Sequence, residues 1–447
     1  SSGKKILLDC GLFQGMGPNT DLMNRRFGFN PADIDYVFLS HAHVDHSGLL
    51  PKLVKDGFRG KIFATPATVD VVKVLLLDSA AIQAQDLHLV NKKRISDGKR
   101  PLEPVYTEED VHRTFEYFKG VPYHSVIQVD KEISAEFFDG GHIVGSATVV
   151  LHLKDEGKPF TLAFSGDVGR YGDPILHAPE PFPQADIMII ESTYGNRLHD
   201  RIETYADDLY KNIEYTCLKK RGKLIIPAFS VGRTQELLYA LNDLELENKL
   251  PPVNYYVDSP MSVKVTEIVK RHPECFNRSV QKLLKTDSDP FYFKGLRYIT
   301  DKRESQALNN TLKPCVIISA SGMAEAGRVK HHIANSIEDR RNTVMMIGYC
   351  EPNSLGARLK QHPEHVGIFG EQYMVNADIV TLNSMSAHAD YNDLCQYLSC
   401  QSPQEIRRLF IVHGEPEVQM EFGRRLRKKG FLDIEIPEIH QEFGIGL

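Results

Sequence analysis

The chain has 447 residues, of which 42% are hydrophobic and 25% are charged, and its formal net charge is −6. This composition is typical of a globular protein with enough residues for two or more cores, and it excludes a disordered chain. The negative charge argues against a generally basic nucleic-acid coat, although metal ions and local cationic side chains can still hold an anion.

The seven cysteines are scattered and never form a Cys-x-x-Cys pair, which argues against a zinc ribbon and favours a reducing compartment, the cytoplasm. No apolar run approaches the roughly 20 residues of a membrane span, and no signal peptide is visible. Ser1-Ser2-Gly3 leads almost directly into a predicted strand, which leaves open whether a native N-terminal piece is missing.

The first hundred or so residues are predicted to alternate short strands with helices. The predicted elements are a strand at 4–9, a Gly/Pro/Asn-rich loop through Asn19, a strand at 36–39, a helix at 49–54, a strand at 61–64 and a long helix after Pro66. The first strand ends in the carboxylate of Asp9. A charged stretch at 91–104 is predicted to be a loop, and a further helix is predicted from Thr107.

Four strands at short intervals follow, a pattern typical of antiparallel sheets. They are predicted at 125–129, 133–138, 147–153 and 160–164, and a further apolar run at 187–190 leads into Glu191. From about Arg197 the chain alternates buried strands with helices, which indicates a parallel α/β sheet and a second domain. The first pattern returns in the apolar runs at 379–382 and 408–412.

The densest polar cluster is His41-Ala42-His43-Val44-Asp45-His46, on a predicted strand-to-helix loop. Histidine nitrogens and carboxylate oxygens are zinc ligands, and a hydrolytic two-metal site needs about seven or eight of them with one shared. His41 and His43 can converge on one ion while Asp45 and His46 face the other.

Further candidate ligands follow other predicted strands. They are His142, Asp167 and His413. Taken alone, His142 and His413 could be structural or surface histidines, and Asp167 and Glu191 could be turn formers or helix caps. The positions of His142 and His413 just after strands, beside glycine, favour the site for these two histidines.

These motifs closely resemble those of the metallo-β-lactamase superfamily. The shared motifs are Leu8-Asp9-Cys10-Gly11, the His-x-His-x-Asp-His cluster at 41–46, Gly141-His142 and Gly166-Asp167. The β-CASP nuclease branch adds three motifs, matched by Glu191 in Glu-Ser-Thr-Tyr-Gly, His388 in Ser-Ala-His-Ala-Asp and His413 in Val-His-Gly-Glu. The resemblance also includes 227–236 and 319–323.

The resemblance implies an α/β protein with an αββα metallo-β-lactamase fold, an inserted β-CASP α/β domain, and an active site in the cleft between them. The implied domains are 1–195 for the first part of the metallo-β-lactamase domain, 196–377 for the β-CASP domain and 378–447 for the second part.

The resemblance also implies a role for each site residue. One zinc ion would be held by His41, His43 and His142, and the other by Asp45, His46 and His413, with Asp167 bridging the two. Asp9 would orient ligands, and Glu191 would orient His388, the proton donor to the departing ribose oxygen. Catalysis is therefore expected to depend most on Asp45, Glu191 and His388.

The implied function is that of a zinc-dependent ribonuclease acting on single-stranded RNA in RNA processing or decay. RNA-processing members resemble this chain in having a histidine at the position of His413, where DNA-repair members carry valine. Two alternatives stay open: a hydrolase of DNA or another small substrate with the same site, and a non-catalytic RNA-binding or scaffold subunit. A homodimer or an RNA-processing complex, and internal or 5′-end cutting, are left undecided.

The sequence also suggests a phosphate-binding site in the inserted domain. Ser321 and Gly322 follow a predicted strand and could offer backbone N–H groups to a phosphate, helped by Arg233 and Arg328. Alternatively, the glycine forms a turn and the arginines are solvated or salt bridged. The segment 348–356 departs from the Gly-Tyr-Gln-Ala-x-Gly-Thr-Leu-Gly form of the family. The basic run at 424–429 is more typical of a solvated helix face.

Overall fold

The computed structural model describes residues 3–13, 19–155, 157–199, 205–348, 350–351, 353–382 and 386–445. Most of the predicted glycine-rich loop before Asn19 and two positions of the divergent 348–356 segment lie outside the described residues. The chain divides into two units, one formed by Ser1–Leu198 with His388–Leu447 and the other by His199–Ala387.

The first unit contains two sheets. The smaller sheet is parallel and has the order β1 (Ile6–Leu8), β2 (Tyr36–Phe38), β3 (Lys61–Ala64), β4 (Phe118–Gly120). The larger sheet contains β5 (Ile127–Asp130), β6 (Ile133–Asp139), β7 (Ala147–Asp155), β8 (Lys158–Phe164), β9 (Ile187–Glu191), β18 (Arg408–Val412) and β19 (Ile434–Glu435). Its order is β19-β18-β9-β8-β7-β6-β5. The predicted antiparallel pairing of β5 to β8 is confirmed, and β8, β9, β18 and β19 pair in parallel.

The two sheets face each other across an aromatic core. Phe38 of β2 stacks on Phe63 of β3 with ring centroids 5.2 Å apart, and it lies 6.4 Å from Phe137 of β6. Side chains alternate along a strand, so Val37 and Ile62 point away from this core. Both are fully buried, which means that the outer face of the smaller sheet is covered as well.

Helices cover both outer faces. In this unit they are α1 (Thr20–Arg25), α2 (Val44–Ser47), α3 (Leu50–Lys55), α4 (Pro66–Ser96), α5 (Glu108–Thr114), α13 (Tyr391–Tyr397) and α14 (Pro416–Lys428). Helix α5 contacts both α3 and α4, and α4 contacts β4. Leu394 of α13 and Phe422 of α14 share a core with Met188 of β9. The predicted αββα arrangement is confirmed.

The long helix α4 continues into the stretch predicted to be a charged loop. Its Thr65 cap accepts a hydrogen bond from the Thr68 backbone, and Lys93 and Arg94 lie in its last turn. Cations at a helix C-terminus interact favourably with the helix dipole, so these charges support the helix instead of ending it. Within the described residues, no helix combines the length and the apolar character needed to cross a membrane.

The second unit contains a six-stranded parallel sheet and a hairpin. The sheet consists of β10 (Lys223–Pro227), β11 (Asn254–Val257), β12 (Leu296–Tyr298), β13 (Cys315–Ser319), β14 (Thr343–Ile347) and β17 (Asp378–Leu382), in the order β12-β11-β13-β10-β14-β17. The hairpin pairs β15 (His365–Ile368) with β16 (Glu371–Met374). The helices are α6 (Tyr205–Ile213), α7 (Arg233–Leu246), α8 (Pro260–Lys270), α9 (Arg278–Leu283), α10 (Lys302–Asn310), α11 (Arg328–Ala334) and α12 (Leu355–Lys360).

The last strand of that sheet differs from its predicted place. The apolar run at 379–382 was expected to resume the first domain, but β17 pairs in parallel with β14 and so belongs to the second unit. The units change at 198/199 and 387/388, compared with the predicted domain boundaries of 195/196 and 377/378. The difference at the second boundary is the segment that contains β17.

Candidate metal centre

The predicted metal ligands and Glu191 follow or end five strands of the first unit. The cluster 41–46 follows β2, His142 follows β6, Asp167 follows β8, Glu191 ends β9 and His413 follows β18. In the larger sheet β6 and β8 are each antiparallel to β7, while β8, β9 and β18 are parallel. The carboxyl ends of β6, β8, β9 and β18 therefore lie at the same end of that sheet.

The segment 41–46 is only partly the predicted loop, because Asp45 and His46 lie in the short helix α2. The motif containing Asp9 packs against it: the Cys10 backbone N–H donates to the His46 carbonyl over 2.6 Å. A Cβ atom on Gly11 would stand 1.5 Å from the Asp45 carbonyl oxygen. Only glycine permits this close approach.

The first ligand set, defined here as His41, His43, His142 and one oxygen of Asp167, is buried apart from His43, which is half-buried. The His43 Nδ1 atom lies 3.1 Å from His41 Nε2 and 3.2 Å from His142 Nε2. Asp167 Oδ2 lies 3.5 Å from both Nε2 atoms. The four atoms lie close enough together to hold one metal ion.

The second ligand set, defined here as Asp45, His46, His413 and the other oxygen of Asp167, adjoins the first. His46 Nε2 lies 3.2 Å from Asp167 Oδ1, and His413 Nε2 lies 3.6 Å from Asp45 Oδ2. His46 Nε2 and Asp167 Oδ1 are fully buried and have no hydrogen-bond partner. A buried polar atom without a partner is costly, and a metal ion would satisfy both atoms.

The spacing of the ligand atoms fits zinc. A tetrahedral zinc ion with Zn–N bonds of about 2.0–2.1 Å has ligand atoms roughly 3.3 Å apart. The distances within the first set, 3.1 to 3.5 Å, lie around this value. Asp167 turns one carboxylate oxygen to each set, as a bridging ligand would.

The electrostatics also suit a cation. Burial, above all, lowers the pKa of His41 well below its usual value and that of His43 to about 4, so both rings are neutral, as metal ligands must be. The charge on Asp167 raises the pKa of His413 to about 9. Burial opposes protonation of His46, but Asp167 and Asp9 hold its pKa well above the usual range. The carboxylates thus create a site that attracts positive charge.

Asp9 and Ser40 connect the two ligand sets from behind. His46 Nδ1 donates to Asp9 Oδ2 over 2.6 Å, and the same oxygen accepts from the Ser40 hydroxyl over 2.7 Å. The Ser40 hydroxyl oxygen lies 3.0 Å from His41 Nδ1 and can accept its proton. These contacts leave the Nε2 atoms of both histidines available to a metal.

An Asp9→Asn variant is therefore expected to bind zinc about 10- to 100-fold more weakly than the wild type, the usual effect of removing a group that orients metal ligands. Affinity would be measured by competition with a chelator. The matched control is Asp33→Asn, which changes a half-exposed carboxylate paired with Lys5. Wild-type affinity in Asp9→Asn would contradict the orienting role.

His388 and Glu191 lie beside the first ligand set. The His388 Nδ1 atom is 3.3 Å from Glu191 Oε1, and its ring centroid is 4.6 Å from that of His142. Glu191 is buried and also accepts hydrogen bonds from the backbone N–H groups of Val168 and Thr193, at 2.7 and 3.1 Å. A carboxylate held this firmly can orient the imidazole.

Three family models match the chain: the metallo-β-lactamase superfamily over residues 1–201, the Beta-Casp domain over 234–359, and the Zn-dependent metallo-hydrolase RNA specificity domain over 372–437. Ribonuclease TTHA0252 of Thermus thermophilus is 34% identical over 430 residues, which cover 96% of this chain and 92% of that protein. The chain belongs to the β-CASP branch of the metallo-β-lactamase superfamily.

More distant β-CASP relatives are longer than this chain. The transcription termination factor FttA of Methanosarcina mazei is 29% identical over 95% of this chain and 65% of its own length. The cleavage and polyadenylation specificity factor 73 of Drosophila melanogaster is 27% identical over 92% of this chain and 57% of its own length. The chain thus spans less than two thirds of the length of these two relatives. As a member of this family, it is a metal-dependent hydrolase.

The β-CASP residues predicted to bind phosphate have partners within the second unit. Arg328 pairs with the buried carboxylate of Asp258 at 2.6 Å and donates to the carbonyls of Ile299 and Thr300. Arg233 is buried and paired with Glu236 on its own helix. These contacts favour the salt-bridge alternative for both arginines.

Ser321 and Gly322 lie in the connection between β13 and α11. The Ser321 hydroxyl accepts a weak 3.4 Å hydrogen bond from the Ala326 backbone. A Cβ atom on Gly322 would lie 2.6 Å from the Phe229 ring, so packing alone accounts for this glycine. Phosphate binding by these four β-CASP residues stays a prediction.

Sequence reasoning missed Ser40. Its only signal is a hydroxyl residue immediately before His41, and serine is common at strand ends for other reasons. The role becomes visible only when Asp9, which is 31 positions away, is placed against the same hydroxyl.

Proposed function

We propose that this chain is a zinc-dependent ribonuclease that hydrolyses RNA phosphodiester bonds at a two-metal site, in RNA processing or decay. The observation that carries the proposal is the pair of ligand sets sharing Asp167, with the Glu191–His388 pair beside them. A hydrolytic pair of ions needs this division of ligands, and phosphodiester cleavage needs a separate proton donor.

Zinc ions in the two sets would supply an acidified water to attack phosphorus and positive charge to stabilise the phosphate oxygens. His41, His43 and His142 would hold one ion, and Asp45, His46 and His413 the other. Asp167 would bridge them, since its two oxygens face different sets. Asp9 and Ser40 keep the ligand nitrogens turned inward.

His388 would donate the proton to the departing ribose oxygen. Its Nδ1 atom faces Glu191, which leaves Nε2 as the nitrogen that can deliver a proton. Glu191 and Asp167 raise the pKa of this imidazole in spite of its burial, so the protonated form is available at neutral pH. A leaving alkoxide is unstable in water, which is why the proton accelerates the step.

The proposal that the substrate is RNA and not DNA rests on His413 and on the relatives. RNA-processing members of the family resemble this chain in having a histidine there, and one relative covered over 92% of its length is named a ribonuclease. We further propose single-stranded RNA as the substrate, with a homodimer or an RNA-processing complex as the assembly.

The test compares cleavage of single-stranded RNA, single-stranded DNA and a simple phosphodiester at equal concentration by protein whose zinc content has been measured. We expect two zinc ions per chain and preferential RNA cleavage. Equal or faster cleavage of DNA would favour the alternative substrate class. Fewer than two zinc ions together with no cleavage would favour a non-catalytic subunit. RNA labelled at either end would distinguish internal from 5′-end cutting.

A further inference from the structure

We propose that Thr193 is a positioning residue for His413: its hydroxyl oxygen accepts the Nδ1–H of the imidazole and so directs a bare Nε2 to the second ligand set. The inference rests on the proposed function, because it deepens the account of one metal ligand. Thr193 lies two residues beyond Glu191, in the turn after β9.

The contact is direct. Thr193 Oγ1 lies 2.9 Å from His413 Nδ1, within the range of a good hydrogen bond. A histidine that binds a metal ion gives up the proton on the binding nitrogen and keeps the other, so a proton held on Nδ1 by Thr193 makes Nε2 the nitrogen that binds. That Nε2 atom lies 3.6 Å from Asp45 Oδ2, its neighbour in the second ligand set.

Asp167 is a less suitable partner for Nδ1 of His413. Asp167 Oδ1 lies 3.7 Å from this nitrogen, beyond hydrogen-bond distance. It faces His46 Nε2 at 3.2 Å instead. Nδ1 of His413 thus makes its shorter contact with Thr193, while Asp167 Oδ1 faces His46 Nε2.

The backbone of His413 is fixed by the residue next to Thr193. The Ser192 backbone N–H donates to the His413 carbonyl over 2.9 Å, and the Ser192 hydroxyl lies 3.0 Å from the Val412 carbonyl. His413 itself has a φ of +49°, a left-handed conformation that is rare for residues other than glycine. Ser192 therefore supports the main chain, and Thr193 sets the orientation of the ring.

The same arrangement occurs behind other ligands of the site. Ser40 lies behind Nδ1 of His41 at 3.0 Å, and Asp9 lies behind Nδ1 of His46 at 2.6 Å. In each case an oxygen contacts the ring nitrogen that does not face the other ligands. Such partners fix the tautomer and the direction of metal-binding histidines.

The test is a comparison of Thr193→Val with Thr193→Ser. Valine keeps the shape and removes the acceptor, whereas serine keeps the hydroxyl. Zinc affinity of the full chain would be measured by chelator competition, with thermal melting of the metal-free proteins as a check on folding. We expect Thr193→Val to weaken one of two zinc-binding steps about 10- to 100-fold. Thr193→Ser should bind within about threefold of wild type.

Each result has a distinct meaning. Wild-type affinity in Thr193→Val would overturn the positioning role, and so would equal weakening in both variants, because the methyl group and not the hydroxyl would then matter. Binding of only one zinc ion by the wild type would overturn the proposed two-metal site, and the role of Thr193 with it.

Discussion

An Asp167→Asn variant is expected to cleave single-stranded RNA at least about 10³-fold more slowly than the wild type. The two carboxylate oxygens face different ligand sets, at 3.5 Å from His41 Nε2 and 3.2 Å from His46 Nε2. An asparagine offers one oxygen and an NH₂ group, which cannot bind a cation. Metal ions stabilise such transition states by several kcal/mol, and a loss of about 4 kcal/mol corresponds to roughly 10³ in rate.

The measurement needs three readouts: cleavage rate, zinc content and far-UV circular dichroism. We expect the fold to persist, since the apolar cores do not depend on this side chain, while zinc content falls. Asp21→Asn is the control, because this exposed carboxylate pairs only with Arg25 among the ion pairs of the described residues. A cleavage rate within tenfold of wild type would show that Asp167 is not shared between two ions.

A His388→Ala variant is expected to retain two zinc ions and cleave RNA about 10²- to 10⁴-fold more slowly, the usual contribution of a general acid. The residue contacts Glu191 at 3.3 Å, while the two ligand sets are complete without it. Zinc content and single-turnover cleavage, measured on the same preparation, would separate the two effects. Loss of zinc would mean that His388 is a ligand and not a proton donor.

The leaving group supplies a sharper test of the same role. A nitrophenyl phosphodiester releases a stable phenolate that needs no proton. The cleavage rate of His388→Ala on this substrate should therefore be less than about tenfold below that of the wild type. His124→Ala, which changes a half-exposed histidine of the same unit, is the control and should cleave both substrates normally. An equal loss on both substrates would indicate that His388 binds the substrate instead.

Local signals in the sequence predicted much of the fold. Thr107 was expected to begin a helix, and it caps α5 in a capping box with Asp110. The apolar run at 36–39 before His41 corresponds to β2. The strand β4 was missed because Phe118-Lys119-Gly120 contains a single apolar residue, whereas β1 and β2, which are equally short, lie in apolar runs. The apolar run at 379–382 would suit a buried strand in either unit, and only its pairing with β14 decides to which unit it belongs.

The candidate metal centre was likewise only partly predictable from the sequence. Residue types and spacing suggested which histidines and carboxylates come together, because ligands must follow strands whose ends meet. The atoms that face each other could not be inferred: His43 turns Nδ1 to its neighbours, whereas His41 and His142 turn Nε2. Hydroxyl partners such as Ser40 depend on contacts between distant segments, and so does the pairing of Arg328 with Asp258.

The position of β18 between β9 and β19 has a consequence for synthesis of the protein. The His413 carbonyl bonds to Ser192, which precedes it by 221 positions. At about 5–20 residues per second, a ribosome needs roughly 10–45 s to make the intervening chain. During this interval β9 has an open edge, a template for wrong pairing, and the second ligand set lacks one member. We therefore expect the nascent chain to be inactive, and to need protection from aggregation, until residue 413 has left the ribosome.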